Sequence, residues 1–102
     1  MKASVVVLGI LRFPPDRIAH LLPSLHELLT ATRTKDGCIA YDVAIDPFDP
    51  GLVRFSELWP DRDSLDRHLK AAHIEPWRAI ARRNGTIERD FTAYDVHGSF
   101  KV

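Results

Sequence analysis

Glu57-x-Trp59, followed by Leu65-x-x-His68-Leu69 and His73, sets a carboxylate, an indole and two imidazoles within seventeen residues. A carboxylate among apolar neighbours loses its preference for the charged form, so its pKa rises. An imidazole titrates near pH 6.5 and can exchange protons at neutral pH. Together they could take a proton from a weak acid such as a phenol. Each residue also has a plain structural reading. Glu57 could hydrogen-bond a histidine, a tyrosine or backbone groups where strand meets helix, or it could orient His68. His68, on the flank of an apolar stripe, could be a satisfied core residue. His73 could cap a helix segment or line a pocket mouth. Trp59 and Tyr41 could pack the core or, with flat faces, hold an aromatic ligand. Phe55 and Trp77 read as pocket walls or core.

The elements that must position these groups follow from periodicity. Residues 4–13 are β-rich and apolar on both faces, a first strand covered on two sides. Pro14-Pro15 ends it. Ile18, Leu21, Leu22, Leu25, Leu28 and Leu29 recur at helical spacing and predict a helix over 16–34, kinked at Pro23. Gly37 then supplies a left-handed cap. Ile39, Tyr41, Val43 and Ile45 mark one face of a second strand. The turn formers Asp46-Pro47-Phe48-Asp49-Pro50-Gly51 lead to a third strand over 52–59, whose Val53, Phe55, Glu57 and Trp59 share a face. Asp61 can cap the next helix, with Leu65, Leu69 and Ala72 expected on its inner side. Pro76 predicts a break near 72–75 and a short segment carrying Trp77, Ile80 and Ala81. A fourth strand over 87–98 brings Ile87, Phe91 and Tyr94.

The order β-α-β-β-α-β is the split βαβ, ferredoxin-like α+β plan, with helices on one face of an antiparallel sheet. At 102 residues the chain reads as a single domain, 1–102. Hydrophobic residues at 45% and charged residues at 27% are ordinary globular values, so disorder is not expected. Fourteen basic and fourteen acidic side chains cancel, which leaves no electrostatic footprint for nucleic acid or an anionic membrane. The apolar run from Val5 to Leu11 is too short to span a bilayer. Cys38 is the lone cysteine, which excludes an intrachain disulfide and a cysteine-based zinc site, and a cytoplasmic location is expected. His68 and His73 stand five apart, roughly 140° around a helix and so poorly placed to share a metal, and none is expected. A first strand apolar on both sides predicts a homodimer joined through sheet faces. Gly-rich phosphate loops and nucleophile elbows are missing.

This plan, with Asp36-Gly37-Cys38, Tyr41-Asp42-Val43, Asp46-Pro47, Glu57-x-Trp59, Leu65-x-x-His68-Leu69 and His73, resembles the antibiotic biosynthesis monooxygenase family. The resemblance spans nearly the whole chain in element order and is sharpest over 36–73. It implies a dimeric α+β barrel. It also implies, for some members, oxidation of quinols or polyketide phenols by dioxygen with no bound cofactor. Haem-degrading relatives match least: the first strand here has no asparagine, and Arg78 lies near where their haem-ligating histidine would fall. The expected function is therefore a cofactor-independent monooxygenase acting on a small aromatic, with His68 and Glu57 catalytic. Substrate contacts are expected from Trp59, Tyr41, His73, Phe55 and Trp77. The alternatives are a small-molecule binding module and a proton-shuttling isomerase using the same pocket.

Overall fold

The computed structural model describes residues 2–102. β1 (Val5–Arg12) leads through a 3-10 turn at Pro15–Arg17 into α1 (Ile18–Lys35), and β2 (Ala40–Ile45) and β3 (Leu52–Trp59) form a hairpin. Two short helices follow, α2 (Arg62–Leu69) and α3 (Ile74–Arg83), before β4 (Glu88–Asp95). The strands lie in the order β2-β3-β1-β4, with every neighbouring pair antiparallel. This is the ferredoxin-like α+β plan, and β1 and β3 hold the centre because each has a partner on both sides.

The core lies between the sheet and the helices. Alternation decides which side chains enter it: Val5, Val7 and Leu11 of β1 and Val53, Phe55, Glu57 and Trp59 of β3 are buried on the helix side. α1 presents Leu21, Leu25, Leu28 and Thr32 to them at the three-and-four spacing of one helix face. Pro23 falls on the exposed side, where its missing N–H and its ring disturb no packing, and one helix runs through it. The hairpin closes through Asp46, whose Oδ1 accepts from Phe48 N at 2.8 Å. Gly51 there has φ +90°, and a Cβ on it would fall 2.2 Å from the Phe13 carbonyl oxygen, so both backbone and space require glycine.

Two expectations change. The second helical region breaks earlier than predicted, over residues 70–73, and Pro76 sits inside the first turn of α3, where a missing N–H costs nothing. α2 is also rotated from the predicted phase. Its buried residues are Ser64 and His68, while Leu65 is half-buried and Leu69 and Ala72 are exposed. Asp61 caps the helix as expected, accepting from Ser64 N at 2.7 Å. β4 is shorter than predicted; Phe91 turns inward, but Ile87 and Tyr94 are exposed.

The far face of the sheet carries Val6, Leu8 and Ile10 of β1 beside Leu58 and Tyr94. Leu8 is 51% exposed and Tyr94 52%. Among the described residues no helix is long and apolar enough to cross a membrane.

Candidate functional site

Three separated pieces of chain meet at one carboxylate oxygen. Asp36 caps the C-terminus of α1, its backbone N–H bonding Thr32 O, and this turns its side chain toward α2. Asp36 Oδ2 accepts from His68 Nδ1 at 2.7 Å and from His73 Nε2 at 2.9 Å. His73 is the residue just before α3, so the break after α2 is what lets it reach Asp36. The His68 side chain is 4% exposed and that of Asp36 7%. A carboxylate oxygen only accepts, so the shared contact fixes both tautomers: His68 carries its proton on Nδ1 and His73 on Nε2.

The imidazole of His68 is held on its remaining sides by rings. Trp59 lies at 4.9 Å between centroids and Tyr41 approaches edge-on at 5.2 Å. Burial lowers the pKa of His68, against the opposing pull of Asp36, so the ring is neutral at neutral pH. Its Nε2 makes no hydrogen bond, and no buried side-chain nitrogen or oxygen among the described residues lacks a partner. His68 Nε2 therefore opens on the cavity that the residue lines.

That cavity, of about 260 Å³, lies between the sheet and the α2–α3 pair. Tyr41, Phe55, Glu57 and His68 line it with Trp77 and Phe91, and Arg78 and Arg89 complete the wall. Gly9 shapes its floor. It pairs with Phe55 on one side and Phe91 on the other, and the two phenyl rings meet across it at 5.1 Å. A Cβ on Gly9 would fall 2.2 Å from the Phe91 ring, so any side chain there would push that ring aside.

Glu57 points into this interior and is 4% exposed. Its Oε1 accepts from Trp59 Nε1 at 2.9 Å, and its second oxygen makes no hydrogen bond and so faces the cavity. Burial pushes its pKa up to about 7, and the indole N–H only partly offsets this. Burial and the nearby Glu57 charge both raise the Tyr41 phenol, which stays protonated.

The structure thus brings Glu57, His68, Tyr41, Phe55 and Trp77 to one cavity. Glu57 does not orient His68: its hydrogen bond goes to Trp59, and the orienting carboxylate is Asp36. Trp59 and His73 stand behind the wall and hold its working residues. Asp36 went unassigned in the sequence because His68 lies 32 positions away, and only the Asp-Gly pair ending α1 hints at the contact. Arg78 and Arg89 were also missed, although positions 89, 91 and 93 share a strand face. Asp36, His68 and His73 are the one group among the described residues whose donor atoms could share a metal, all lying within 4.8 Å of one another. The helical spacing of His68 and His73 was expected to hold the two rings apart, but the break after α2 brings both onto one carboxylate oxygen.

The chain belongs to the antibiotic biosynthesis monooxygenase family, whose model matches residues 4–80. It is 32% identical over 79 residues to a Mycobacterium tuberculosis protein, "Putative monooxygenase Rv0793", covering 78% of this chain and 77% of that one. The solved structure of Rv0793 superposes with a TM-score of 0.83 at 26% identity, over 97% of this chain and 100% of that one. A Deinococcus radiodurans protein solved under the same family description gives a TM-score of 0.88 at 26% identity, over 96% of this chain and 97% of that one. β4, with Arg89 and Phe91, lies beyond the residues that the family model matches.

Glu57 makes stability depend on pH with a definite sign. Its folded pKa lies above the ordinary 4.5, so the fold favours the protonated acid. Its contribution is complete below about pH 4.5 and is lost as the pH rises toward 7. Glu57→Gln keeps an acceptor for Trp59 and has no proton to lose. Urea unfolding across this range should show the wild type losing up to about 3 kcal/mol relative to the variant. Parallel curves would show that Glu57 ionises normally in the fold.

Proposed function

We propose that the protein is a cofactor-independent monooxygenase that oxidises a small aromatic phenol or quinol with dioxygen. The observation that carries this reading is the neutral His68, oriented by Asp36 with Nε2 open to an apolar cavity. The family membership supports the reaction class, and the cavity volume suits an aromatic of one or two rings.

In this mechanism Phe55, Phe91 and Trp77 hold the ring, and the phenol lies against His68 Nε2. An apolar cavity disfavours a free phenolate, so the proton passes to His68 as the ring gives an electron to dioxygen. Asp36 stabilises the imidazolium that forms, as a buried carboxylate does behind a catalytic histidine. Superoxide and the ring radical then join at the carbon para to the phenol. Glu57, whose pKa burial pushes up to about 7, gives its proton to the peroxide. The hydroperoxide loses water to leave a second carbonyl, and the proton held on His68 returns to Glu57, which restores both residues. One phenol with a free para C–H and one dioxygen become one quinone and one water, so no external reductant is needed. Positioning and exclusion of water are the protein's remaining contributions.

The exposed apolar outer face of the sheet supports a homodimer joined through that face. The cavity lies on the opposite side, so each copy would keep its own pocket. Sedimentation should give twice the 11.6 kDa chain mass, and Leu8→Asp should return monomer. A wild type that stays monomeric at micromolar concentration would contradict the dimer.

Oxygen uptake on a phenol panel tests the reaction. His68→Ala should lower kcat by roughly 10²–10⁴, the usual worth of a positioned general base. Added imidazole should restore part of the rate if the variant's circular dichroism is unchanged. The wild-type rate should fall above about pH 7 as Glu57 loses its proton. Full turnover by folded His68→Ala would assign the base elsewhere.

A further inference from the structure

The cavity has two chemically different ends. At one end, Glu57 pairs with Val7 of β1, and His68 and Tyr41 gather around it. At the other, Arg89 pairs with Leu11, four residues further along β1 and on the opposite side of it from β3. Four strand residues span about 13 Å. Between the ends lie Phe55 and Phe91, which make the stretch apolar.

Arg89 is a guanidinium in the cavity wall with no ionic partner among the described residues. Its neighbours Glu88 and Asp90 project to the other face of β4, by strand alternation, and Glu88 already binds Arg12. The Arg89 guanidinium carbon stands 4.7 Å from the centre of the Phe91 ring, which braces the side chain at the edge of the ring-binding stretch. A second guanidinium, Arg78, lines the same cavity. It is tethered to Leu69 O at 3.0 Å and only loosely neutralised by Glu75 at 4.0 Å. The sole acid in the wall is Glu57, at the far end.

We infer that Arg89, assisted by Arg78, forms an anion subsite, and that the natural ligand is an aromatic phenol bearing a carboxylate at the end remote from the phenol. A planar guanidinium already stacked on a ring offers paired N–H groups to a carboxylate in the plane of the bound aromatic. The inference rests on the cavity being the substrate pocket, and it does not require the oxygen chemistry.

Two probes separate the possibilities: 1-naphthol, and 5-hydroxy-2-naphthoate, which adds a remote carboxylate to the same phenol. Calorimetry on the intact protein should give roughly ten-fold or greater preference for the carboxylate. Raised salt should shrink that preference. Arg89→Gln should reduce it to about two-fold or less, on the same reasoning, with the loss falling mainly on 5-hydroxy-2-naphthoate. Arg78→Gln should have a smaller effect. Equal affinity for the two probes, failure of both to bind, or a preference that survives the double variant Arg89→Gln/Arg78→Gln would each overturn the subsite. Oxygen uptake on the same probes keeps the two readings apart. Arg89-dependent binding without uptake would sustain the subsite and sink the monooxygenase reading. Uptake on both probes at equal kcat/KM would do the reverse.

Discussion

The shared oxygen of Asp36 is the contact on which the rest of the site depends. It joins the end of α1 to α2 and to the segment before α3 at a single buried atom. A buried carboxylate with no partner would be expensive, and so would a buried imidazole with no acceptor. Pairing two imidazoles with one oxygen satisfies all three groups at once. It also dictates ring orientation, because a histidine held through Nδ1 must present Nε2 on its opposite side. The early break after α2 has the same origin: a continuous helix would carry His73 away from Asp36.

Around this contact the surroundings divide two titratable groups by environment alone. His68 is pushed toward its neutral form by burial, and Glu57 is pushed toward its protonated form by the same cause acting on a group of opposite charge. Near neutral pH the cavity therefore holds a bare nitrogen that can take a proton and an acid that can give one. Trp59 supports both, packing on the imidazole and donating to Glu57. A group that touches no cavity surface thus helps position the two that do.

Much of the fold was legible because sheet and helix periods act locally. β1, β3 and α1 carry long, consistent apolar patterns, and β3's face of Val53, Phe55, Glu57 and Trp59 points where alternation puts it. α2 was misphased for a physical reason. Its face is chosen by Asp36, which makes burial of a histidine favourable and leaves Leu69 43% exposed. Hydropathy cannot register a polar residue whose partner lies 32 positions away. The same limit hid Asp36 and misassigned His68's partner to Glu57, the acid on the adjacent strand. Arg89 escaped notice because a charged residue on an edge strand looks like ordinary solvated surface until Phe91 and the cavity are placed beside it. Trp59 and His73 were expected to touch the ligand, but neither lines the cavity, a distinction that depends on side-chain depth and not on sequence spacing.

Nitrogen-15 NMR of the imidazole rings, recorded on the folded protein while the pH is lowered from 8 to 5, reads tautomer and charge together. At neutral pH His68 should show a protonated Nδ1 and a bare Nε2, and it should take up its second proton only below the ordinary histidine value of 6.5. A His68 that is already cationic at pH 7, or that carries its single proton on Nε2, would contradict the account.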